Sequence, residues 1–406
     1  MAEISFVPSN RGGRLLVLHG YMLSLNYNKN GKTYWKCKKE PNGHVTAITD
    51  GDQLLQNRGQ HQHQAEASLP RMMNLQHHAK EVARQQPHLP MKRVYAETYG
   101  NINVADEREI DHLPSMNAIK SSLYRSRAKR LPGVPHTRAE VNLEGEWTQT
   151  IDGRDYVLAN DGIDDRLIIF GTMQNLRLLC HAATIFMDGT FKMAPEMFCQ
   201  VYSIHIWHLE IMIPVAIGLL PSKTQETYSR MFRLLMGAAN RYGMQFQPQT
   251  ICIDFEIAVI KSIHEIFPYS RIRGCLFHFS QALWRKLQNL GLTLRYAEDE
   301  NFNRLVRRAA ALPLVPPHQV HDVWLAAMNE VNDEVAQPFI DYVTTTWVDD
   351  MEARFPIELW TQFDNIDGIR TNNHLEGWHS SINKLLSRPH PNIYALIEIF
   401  KAEQRR

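Results

Sequence analysis

Runs of apolar residues separated by turn signals predict a small β-rich unit near the start of the chain. Residues 15–18, 21–25 and 33–37 are apolar and aromatic, and Asn-Lys-Asn-Gly at 28–31 is typical of a hairpin turn. The unit, at 14–63, holds few large apolar side chains. A core of this size needs a further constraint such as a bound metal, so we expect one.

A helical pattern follows this unit. Residues 71–86 and 117–130 suit two helices, and Ser115 is placed to cap the second one. The sequence Leu-Pro-Gly-Val-Pro at 131–135 would end a helix, so a domain boundary is predicted there.

After this boundary the pattern changes to alternating strands and helices. The strands at 198–207 and 211–219 are separated by only a few residues and should pair as an antiparallel hairpin. A helix at 224–242 then leads to a strand at 250–253, which predicts a parallel crossover. The pattern of residues 301–354 predicts helices that are interrupted by prolines. The remaining predicted elements are strands at 183–187 and 271–277 and helices at 255–266, 280–290 and 371–386.

Composition places the chain among globular proteins of two or three domains. Its 406 residues are 44% hydrophobic and 21% charged, which excludes a disordered chain. No run approaches the roughly 18 apolar residues of a membrane span, and the N-terminus lacks the layout of a signal peptide. Five cysteines lie far apart, which favours a reducing compartment, nucleus or cytosol, over a disulfide scaffold.

The net charge of +1 hides an asymmetry along the chain. Residues 1–135 carry 19 basic and 11 acidic side chains, a net +8, and residues 136–406 carry a net −7. A basic N-terminal part suggests a module that binds a polyanion such as DNA. Four basic residues lie at the end of the second predicted helix, where they could bind phosphates, serve in nuclear import or only complement the helix dipole: Arg125, Arg127, Lys129 and Arg130.

Thiol and imidazole side chains in the first unit suggest a zinc site. Cys37 is followed by His44 and then by His61 and His63. Thiolate and imidazole are the ligands of structural zinc. Histidines in a polar run such as 60–64 are often only solvated surface residues, so the spacing alone leaves both interpretations open.

The sequence around these ligands resembles a FLYWCH-type zinc finger over about residues 5–65. The resemblance implies a structural Zn²⁺ held by two cysteines and two histidines, in a module that binds DNA or proteins. Cys37 matches the first cysteine, His61 and His63 match the histidines, and His44 stands near the missing second cysteine as the expected fourth ligand. The resemblance is carried by Gly-Tyr-Met-Leu at 20–23, Tyr-Trp-Lys-Cys at 34–37 and His-x-His at 61–63.

Three acidic residues suggest a second metal site. Asp188 and Asp254 each follow a predicted strand, and binding sites of open sheets lie beyond such strand ends. With Glu376 on the last predicted helix, they could hold two divalent cations for phosphoryl transfer. The alternative is that the aspartates cap helices and that Glu376 lies on a solvated face.

The surrounding sequence resembles the Mutator-like element transposases over about residues 100–395. The resemblance is carried by sequence words in the family's order: Asp-Gly-Thr-Phe-Lys at 188–192, Gln-Val-Tyr-Ser-Ile-His at 200–205, Leu-Leu-Pro-Ser-Lys at 219–223, Asp-Phe-Glu at 254–256, Cys-Leu-Phe-His-Phe at 275–279, and Thr-Asn-Asn-His-Leu-Glu-Gly-Trp-His at 371–379.

This resemblance implies an α/β fold with an RNase H-like mixed sheet and an all-helical insertion at about 295–365. It also implies a catalytic triad of Asp188, Asp254 and Glu376 that binds Mg²⁺ or Mn²⁺ and cuts and joins DNA strands.

Three further residues lie within these sequence words. Cys275 and His278 form the Cys-x-x-His word of this superfamily, and we assign them to DNA positioning or packing in preference to metal binding. His379 lies one helical turn after Glu376 and could approach the site, although a single histidine more often packs in a core.

The sequence therefore predicts three regions and leaves two functions open. The regions are a FLYWCH-type finger at 1–70, a basic helical linker region at 71–135 and an RNase H-like transposase domain at 136–406. The first function is a transposase that cleaves and transfers DNA in the nucleus. The second is a domesticated, non-catalytic DNA-binding or adaptor protein that retains the fold. We expect DNA as a partner, self-association on DNA and no membrane.

Overall fold

A computed structural model describes residues 4–9, 12–66, 68–87, 89–100, 102, 112–331, 334–365, 368–371, 373–386 and 388–404. The chain divides into two units, Met1–Gly133 and Val134–Arg406. Within the described ranges, no helix has the length and apolar character needed to span a membrane.

The N-terminal unit begins with a six-stranded antiparallel sheet in which each strand pairs with the next one in sequence. The three strands predicted from sequence are all present. Asn30 and Gly31 have positive φ angles of 51° and 75°, the conformation of a two-residue hairpin turn. Trp35 is buried, and its Nε1 donates to Thr49 Oγ1 at 2.9 Å. The strands are β1 Ile4–Pro8, β2 Arg14–Leu18, β3 Tyr21–Lys29, β4 Lys32–Cys37, β5 Thr46–Asp50 and β6 Gln53–Arg58.

Three helices complete the description of this unit: α1 Ser68–Gln85, α2 Met91–Tyr99 and α3 Met116–Ala128. They share an apolar core that includes Ala79, Val94 and Leu123. As predicted, Ser115 caps α3, because its side chain accepts a hydrogen bond from Ala118 N. Helices α1 and α3 lie within three residues of their predicted bounds, whereas α2 was not predicted.

The C-terminal unit contains a seven-stranded mixed sheet in the order β13-β12-β9-β10-β11-β8-β7. The hairpin of β10 and β11 is antiparallel, as predicted, whereas β12 pairs in parallel with both β9 and β13. The strands are β7 Val157–Asp161, β8 Leu167–Phe170, β9 Thr184–Thr190, β10 Gln200–His208, β11 Ile211–Leu220, β12 Thr250–Ile253 and β13 Arg271–Gly274.

One predicted element is wrong at its end. The strand predicted at 271–277 stops at Gly274, and a helix begins at Leu276. A short apolar run fits either a strand or a helix, so the run alone could not decide between them. Phe279, Leu283 and Leu287 are the buried positions of this segment, and their four-residue spacing defines one face of a helix.

The helices of this unit cover the sheet and form a largely helical block between residues 293 and 360. They are α4 Met173–His181, α5 Gln225–Asn240, α6 Ile257–Ile266, α7 Leu276–Asn289, α8 Thr293–Glu298, α9 Glu300–Ala311, α10 Val320–Asn329, α11 Gln337–Val343, α12 Ile357–Trp360, α13 Asn373–Leu385 and α14 Ile393–Gln404.

An aromatic cluster joins this block to the sheet. The indole of Trp347 lies 4.7 Å from the ring of Phe279 and 4.8 Å from the ring of Phe255, centroid to centroid. Gly274, the last residue of β13, lies against this cluster. A Cβ at this position would lie 2.5 Å from the Phe255 ring, so the close approach requires glycine.

We therefore expect Gly274→Ala to destabilise the C-terminal unit by about 1–3 kcal/mol, because the packed Phe255 ring has little room to move. The matched control is Gly237→Ala in α5, where a Cβ would meet no atom within 4 Å. This helical change should stabilise the protein by up to about 1 kcal/mol. Thermal unfolding of both variants tests the pair, and equal stabilities would contradict the packing argument.

Candidate metal centres

Three potential metal ligands meet at one end of the N-terminal sheet. Cys37 ends β4, and His61 and His63 follow β6. One ligand atom of each lies within 4.8 Å of the others, and Cys37 Sγ lies 3.2 Å from His63 Nε2. These three of the four ligands predicted from sequence are therefore brought together.

The protonation of the two histidines suits a metal. His63 Nδ1 lies 2.9 Å from the main-chain oxygen of Gln64, which can only accept, so Nδ1 carries the hydrogen and the lone pair of Nε2 faces Cys37. Burial lowers the pKa of His61, and His63 lowers it further, which favours the neutral ring. The buried His61 Nδ1 has no hydrogen-bond partner among the described residues. This donor set fits Zn²⁺.

The predicted fourth ligand, His44, lies outside this cluster. Its side chain is exposed, and the group of possible ligands within the described residues consists of Cys37, His61 and His63. The loop that carries His44 is nevertheless close to the histidine segment, because Glu40 Oε1 accepts a hydrogen bond from Gln62 N at 2.9 Å. The ligand role of His44 stays a prediction.

The basic cluster at the end of α3 requires one correction. Arg127 is only 8% exposed, and its guanidinium donates to the main-chain oxygen of Leu89. A guanidinium held inside the unit is not placed to reach a DNA phosphate. Of its neighbours, Arg130 donates to Gln85 O at 3.0 Å. Phosphate binding by Arg125, Lys129 and Arg130 stays a prediction.

In the C-terminal unit, the two aspartates lie on neighbouring strands. The parallel register of β12 on β9 pairs Thr250 with Thr184 and Cys252 with Phe186. Continuing this register by two residues places Asp254 beside Asp188, at the spacing of about 5 Å between neighbouring strands. Strand β9 runs on to Thr190, so no helix follows Asp188 for it to cap.

Helix α13 covers this face of the sheet. Trp207, His205 and Ser203 alternate along β10, and each contacts a residue of α13. Glu376 is on the first turn of α13, and its Oε1 lies 3.7 Å from His278 Nε2. Ligand atoms of Asp188, Glu376 and His379 lie within 4.8 Å of one another.

Burial sets the protonation of the aspartates. Asp188 is 4% exposed, and burial raises its pKa to about 7, with smaller contributions from the charges of Asp254 and Glu376. Burial also raises the pKa of Asp254. The Asp188 Oδ2 atom has no hydrogen-bond partner among the described residues. A buried carboxylate of this kind fits a divalent cation, which would supply the missing positive charge.

The Cys-x-x-His word lies beside this centre. Cys275 precedes α7, and His278 is on its first turn. Burial opposes a charge on His278, but bonds with Cys275 and Glu376 outweigh it and raise its pKa. A positively charged His278 in turn lowers the pKa of Glu376. The structure therefore places His278 next to the acids, and its predicted role toward DNA stays a prediction.

His379 lies closer to the acids than the sequence pattern indicated, and Ser203 was not predicted as part of the site. His379 Nδ1 lies 3.5 Å from Asp188 Oδ2, and its Nε2 lies 3.2 Å from Ser203 Oγ. Burial lowers the pKa of His379 to about 4, although the charge of Glu376 opposes this, so the ring is neutral near pH 7. The Glu-x-x-His spacing, which places both side chains on one helix face, was the available signal.

A hydrogen-bonded chain supports the segment that carries Asp254. Gln200 Nε2 donates to the Tyr228 hydroxyl at 2.6 Å, and that hydroxyl donates to Glu256 Oε1 at 2.8 Å. Gly189 lies beside this chain, where a Cβ would approach Gln200 Oε1 to 2.6 Å. The resemblance words at 188–192, 200–205 and 254–256 therefore meet in one place.

A groove of about 790 Å³ opens beside the acids. Glu376, His379 and Phe191 are among its lining residues, and Phe191 is 46% exposed. Four exposed basic side chains also line it: Lys192, Arg285, Lys384 and Arg388. A groove lined by several cations and one of the acids suits a phosphate chain.

The mixed sheet with buried acids under a helix and the Cys/His group of the N-terminal sheet define an α/β protein with two candidate metal centres. Comparison with known families gives the particular domains. Residues 184–282 match the family model of the MULE transposase domain, and residues 6–63 match that of the FLYWCH zinc finger domain. No curated protein matches the chain. Both resemblances are confirmed, and the two domains suggest a transposase-like DNA-binding protein.

The raised pKa of Asp188 predicts how stability depends on pH. The folded state holds this proton up to about pH 7, whereas an unfolded aspartate loses it near pH 4. The stability of the metal-free protein should therefore fall as pH rises from about 4 to 7 and stay low above 7. Asp188→Asn should remove this loss, which is at most about 4 kcal/mol.

Thermal unfolding without added divalent cations tests this at pH 5 and pH 8. The gain of Asp188→Asn over the wild type should be larger at pH 8. The control, Asp164→Asn, changes an exposed aspartate and should show no such difference. An equal gain for Asp188→Asn at both pH values would contradict a raised pKa.

Proposed function

We propose that the C-terminal unit cleaves and joins DNA strands as a transposase and that the N-terminal unit binds DNA, within the nucleus. The observation that carries this proposal is that ligand atoms of Asp188, Glu376 and His379 lie within 4.8 Å of one another, next to a groove lined by basic side chains. Asp188 is on β9, and Asp254 directly follows the adjacent strand β12. Oxygen ligands from separate elements on one side of a sheet are what divalent cations need for phosphoryl transfer.

The sheet topology supports the RNase H-like core that the resemblance implies. Strands β9, β10 and β11 form an antiparallel meander, and β12 and β13 add in parallel on the other side of β9. The helical block ends shortly before α13, which carries the last acid. This is the order in which the family places its helical insertion.

A bound Mg²⁺ or Mn²⁺ would activate the attacking oxygen and stabilise the leaving oxygen of a phosphodiester. The chain's own residues hold and orient the strand. Lys192, Arg285, Lys384 and Arg388 neutralise phosphates along the groove, and Phe191 offers an exposed ring for a base. Lys223, 3.8 Å above the Phe191 ring, holds that ring in place.

This proposal predicts separate losses of cleavage and of binding. Asp188→Asn and Glu376→Gln should each reduce divalent-dependent nicking of a supercoiled plasmid by at least about 1000-fold, because a ligand is lost. DNA binding should persist or improve in Asp188→Asn, since negative charge near phosphate is removed. Asp164→Asn serves as the control and should cleave normally. Full cleavage by Asp188→Asn would exclude this residue from catalysis.

The same assay decides between the two functions left open by the sequence. A wild-type chain that binds the plasmid but does not nick it in Mg²⁺ or Mn²⁺ would favour the non-catalytic DNA-binding or adaptor protein.

For the N-terminal unit we propose one structural Zn²⁺ held by Cys37, His61 and His63, with His44 as the fourth ligand. The convergence of the first three supports it, as does His61 Nδ1, which has no hydrogen-bond partner in the described part of the chain. The loop of His44 is tied to the same segment through Glu40. A three-histidine, one-cysteine set still offers zinc a closed tetrahedron.

We expect one zinc per purified chain, measured by native mass spectrometry. Cys37→Ser and His63→Ala should abolish zinc retention, and His44→Ala should weaken it. His77→Ala, an exposed histidine in α1, is the matched control and should retain zinc. Zinc held as tightly by His44→Ala as by the wild type would show that His44 is no ligand.

A further inference from the structure

We propose that His379 is a direct ligand of the cation at Asp188 and Glu376, which makes this a mixed carboxylate–imidazole site that prefers Mn²⁺ to Mg²⁺. The proposal rests on the proposed function in so far as both use the same centre. It concerns the binding of the ion, whereas the proposed function concerns DNA cleavage.

The first argument is the position of the ring. Glu376 and His379 lie one turn apart on α13 and point to the same face. His379 Nδ1 lies 3.5 Å from Asp188 Oδ2, and one atom from each of the three residues lies within 4.8 Å of the others. Ligands held at about 2.1 Å from one ion are separated by about 3 to 4 Å, so small movements suffice.

The second argument is the direction of the hydrogen bonds. Ser203 Oγ lies 3.4 Å from the main-chain oxygen of Asp188, and this oxygen can only accept. Ser203 Oγ also lies 3.2 Å from His379 Nε2, so its one hydrogen has two possible acceptors. A cation bound at His379 Nδ1 would place the ring hydrogen on Nε2, which would donate to Ser203 Oγ while the serine hydrogen turns to Asp188 O. With the hydrogen on Nε2, the lone pair of the neutral ring is on Nδ1, which faces the Asp188 carboxylate.

The third argument is that His379 Nδ1 and Asp188 Oδ2 face each other at 3.5 Å in a buried place. Asp188 is 4% exposed and His379 is 5% exposed. Asp188 Oδ2 has no hydrogen-bond partner among the described residues. Two ligand atoms this close in a buried place can share one positive charge, either a proton or a cation. A cation between the two atoms satisfies both, while Ser203 orients the ring from its other side.

The donor set determines the preference for the ion. Carboxylate oxygens suit Mg²⁺ and Mn²⁺ alike, whereas an imidazole nitrogen suits transition metals. A site that includes His379 should therefore bind Mn²⁺ more tightly than Mg²⁺. Replacement of His379 should reduce Mn²⁺ affinity by at least about 10-fold and Mg²⁺ affinity by less.

The test is Mn²⁺ binding to the full chain, followed by electron paramagnetic resonance, with Mg²⁺ as competitor. Pulsed measurements detect a nitrogen that is bound directly to Mn²⁺. We expect this nitrogen coupling in the wild type and its loss, with weaker Mn²⁺ binding, in His379→Phe, which keeps a ring in the packed position. His374→Phe on the same helix is the matched control and should bind as the wild type does.

Two further variants make the result decisive. The coupling should persist in His63→Ala, which excludes the N-terminal histidines as its source. Ser203→Ala should weaken Mn²⁺ binding while His379 is intact, because the ring loses its orienting partner, and this result stands if His379→Phe does not fold.

Wild-type protein that binds no Mn²⁺, or binds it without nitrogen coupling, would overturn the proposal, as would unchanged affinity in a folded His379→Phe. The proposed function fails separately: a chain with nitrogen coupling that does not nick DNA would refute the transposase activity alone. A chain that nicks DNA without the coupling would refute the histidine ligand alone.

Discussion

The parallel register of β12 on β9 is the constraint on which the C-terminal unit depends. It pairs Thr250 with Thr184, and by continuation it sets Asp254 level with Asp188 on one face of the sheet. Because side chains alternate along a strand, a slip of one residue would turn Asp254 to the opposite face and divide the centre. The aromatic cluster at Phe255 and the hydrogen bonds of Glu256 fix the chain directly after this pairing.

The same arrangement opposes stability when no cation is bound. Burial raises the pKa of both aspartates, so their charged forms destabilise the fold. A divalent cation would reverse this effect, which couples metal binding to the stability of the unit. The neighbouring His278 and the groove cations supply part of the missing positive charge. Functional sites often hold charged side chains in a position that lowers the stability of the fold, as the aspartates do here.

In the N-terminal unit the constraint is the small size of the core, and a bound metal would again stabilise the fold. Its sheet has a small core around Trp35, and the three possible zinc ligands join the end of β4 to the segment after β6. A metal there would join these two segments and add stability to a sheet with a small core. The exposed His44 shows that a sequence spacing can be compatible with zinc without placing every ligand in contact.

Local pattern determined much of this protein. The periodicity of apolar residues gave most of the strands and helices, because burial on one face needs only the neighbouring residues in sequence. The positions of Asp188 and Asp254 after predicted strands marked the candidate site, although β9 runs on past Asp188 to Thr190. The sequence could not show that Ser203 and His379, 176 residues apart, share a hydrogen bond beside Asp188, nor that Arg127 is buried. Such contacts depend on how distant elements pack, and this was decided only by the tertiary structure.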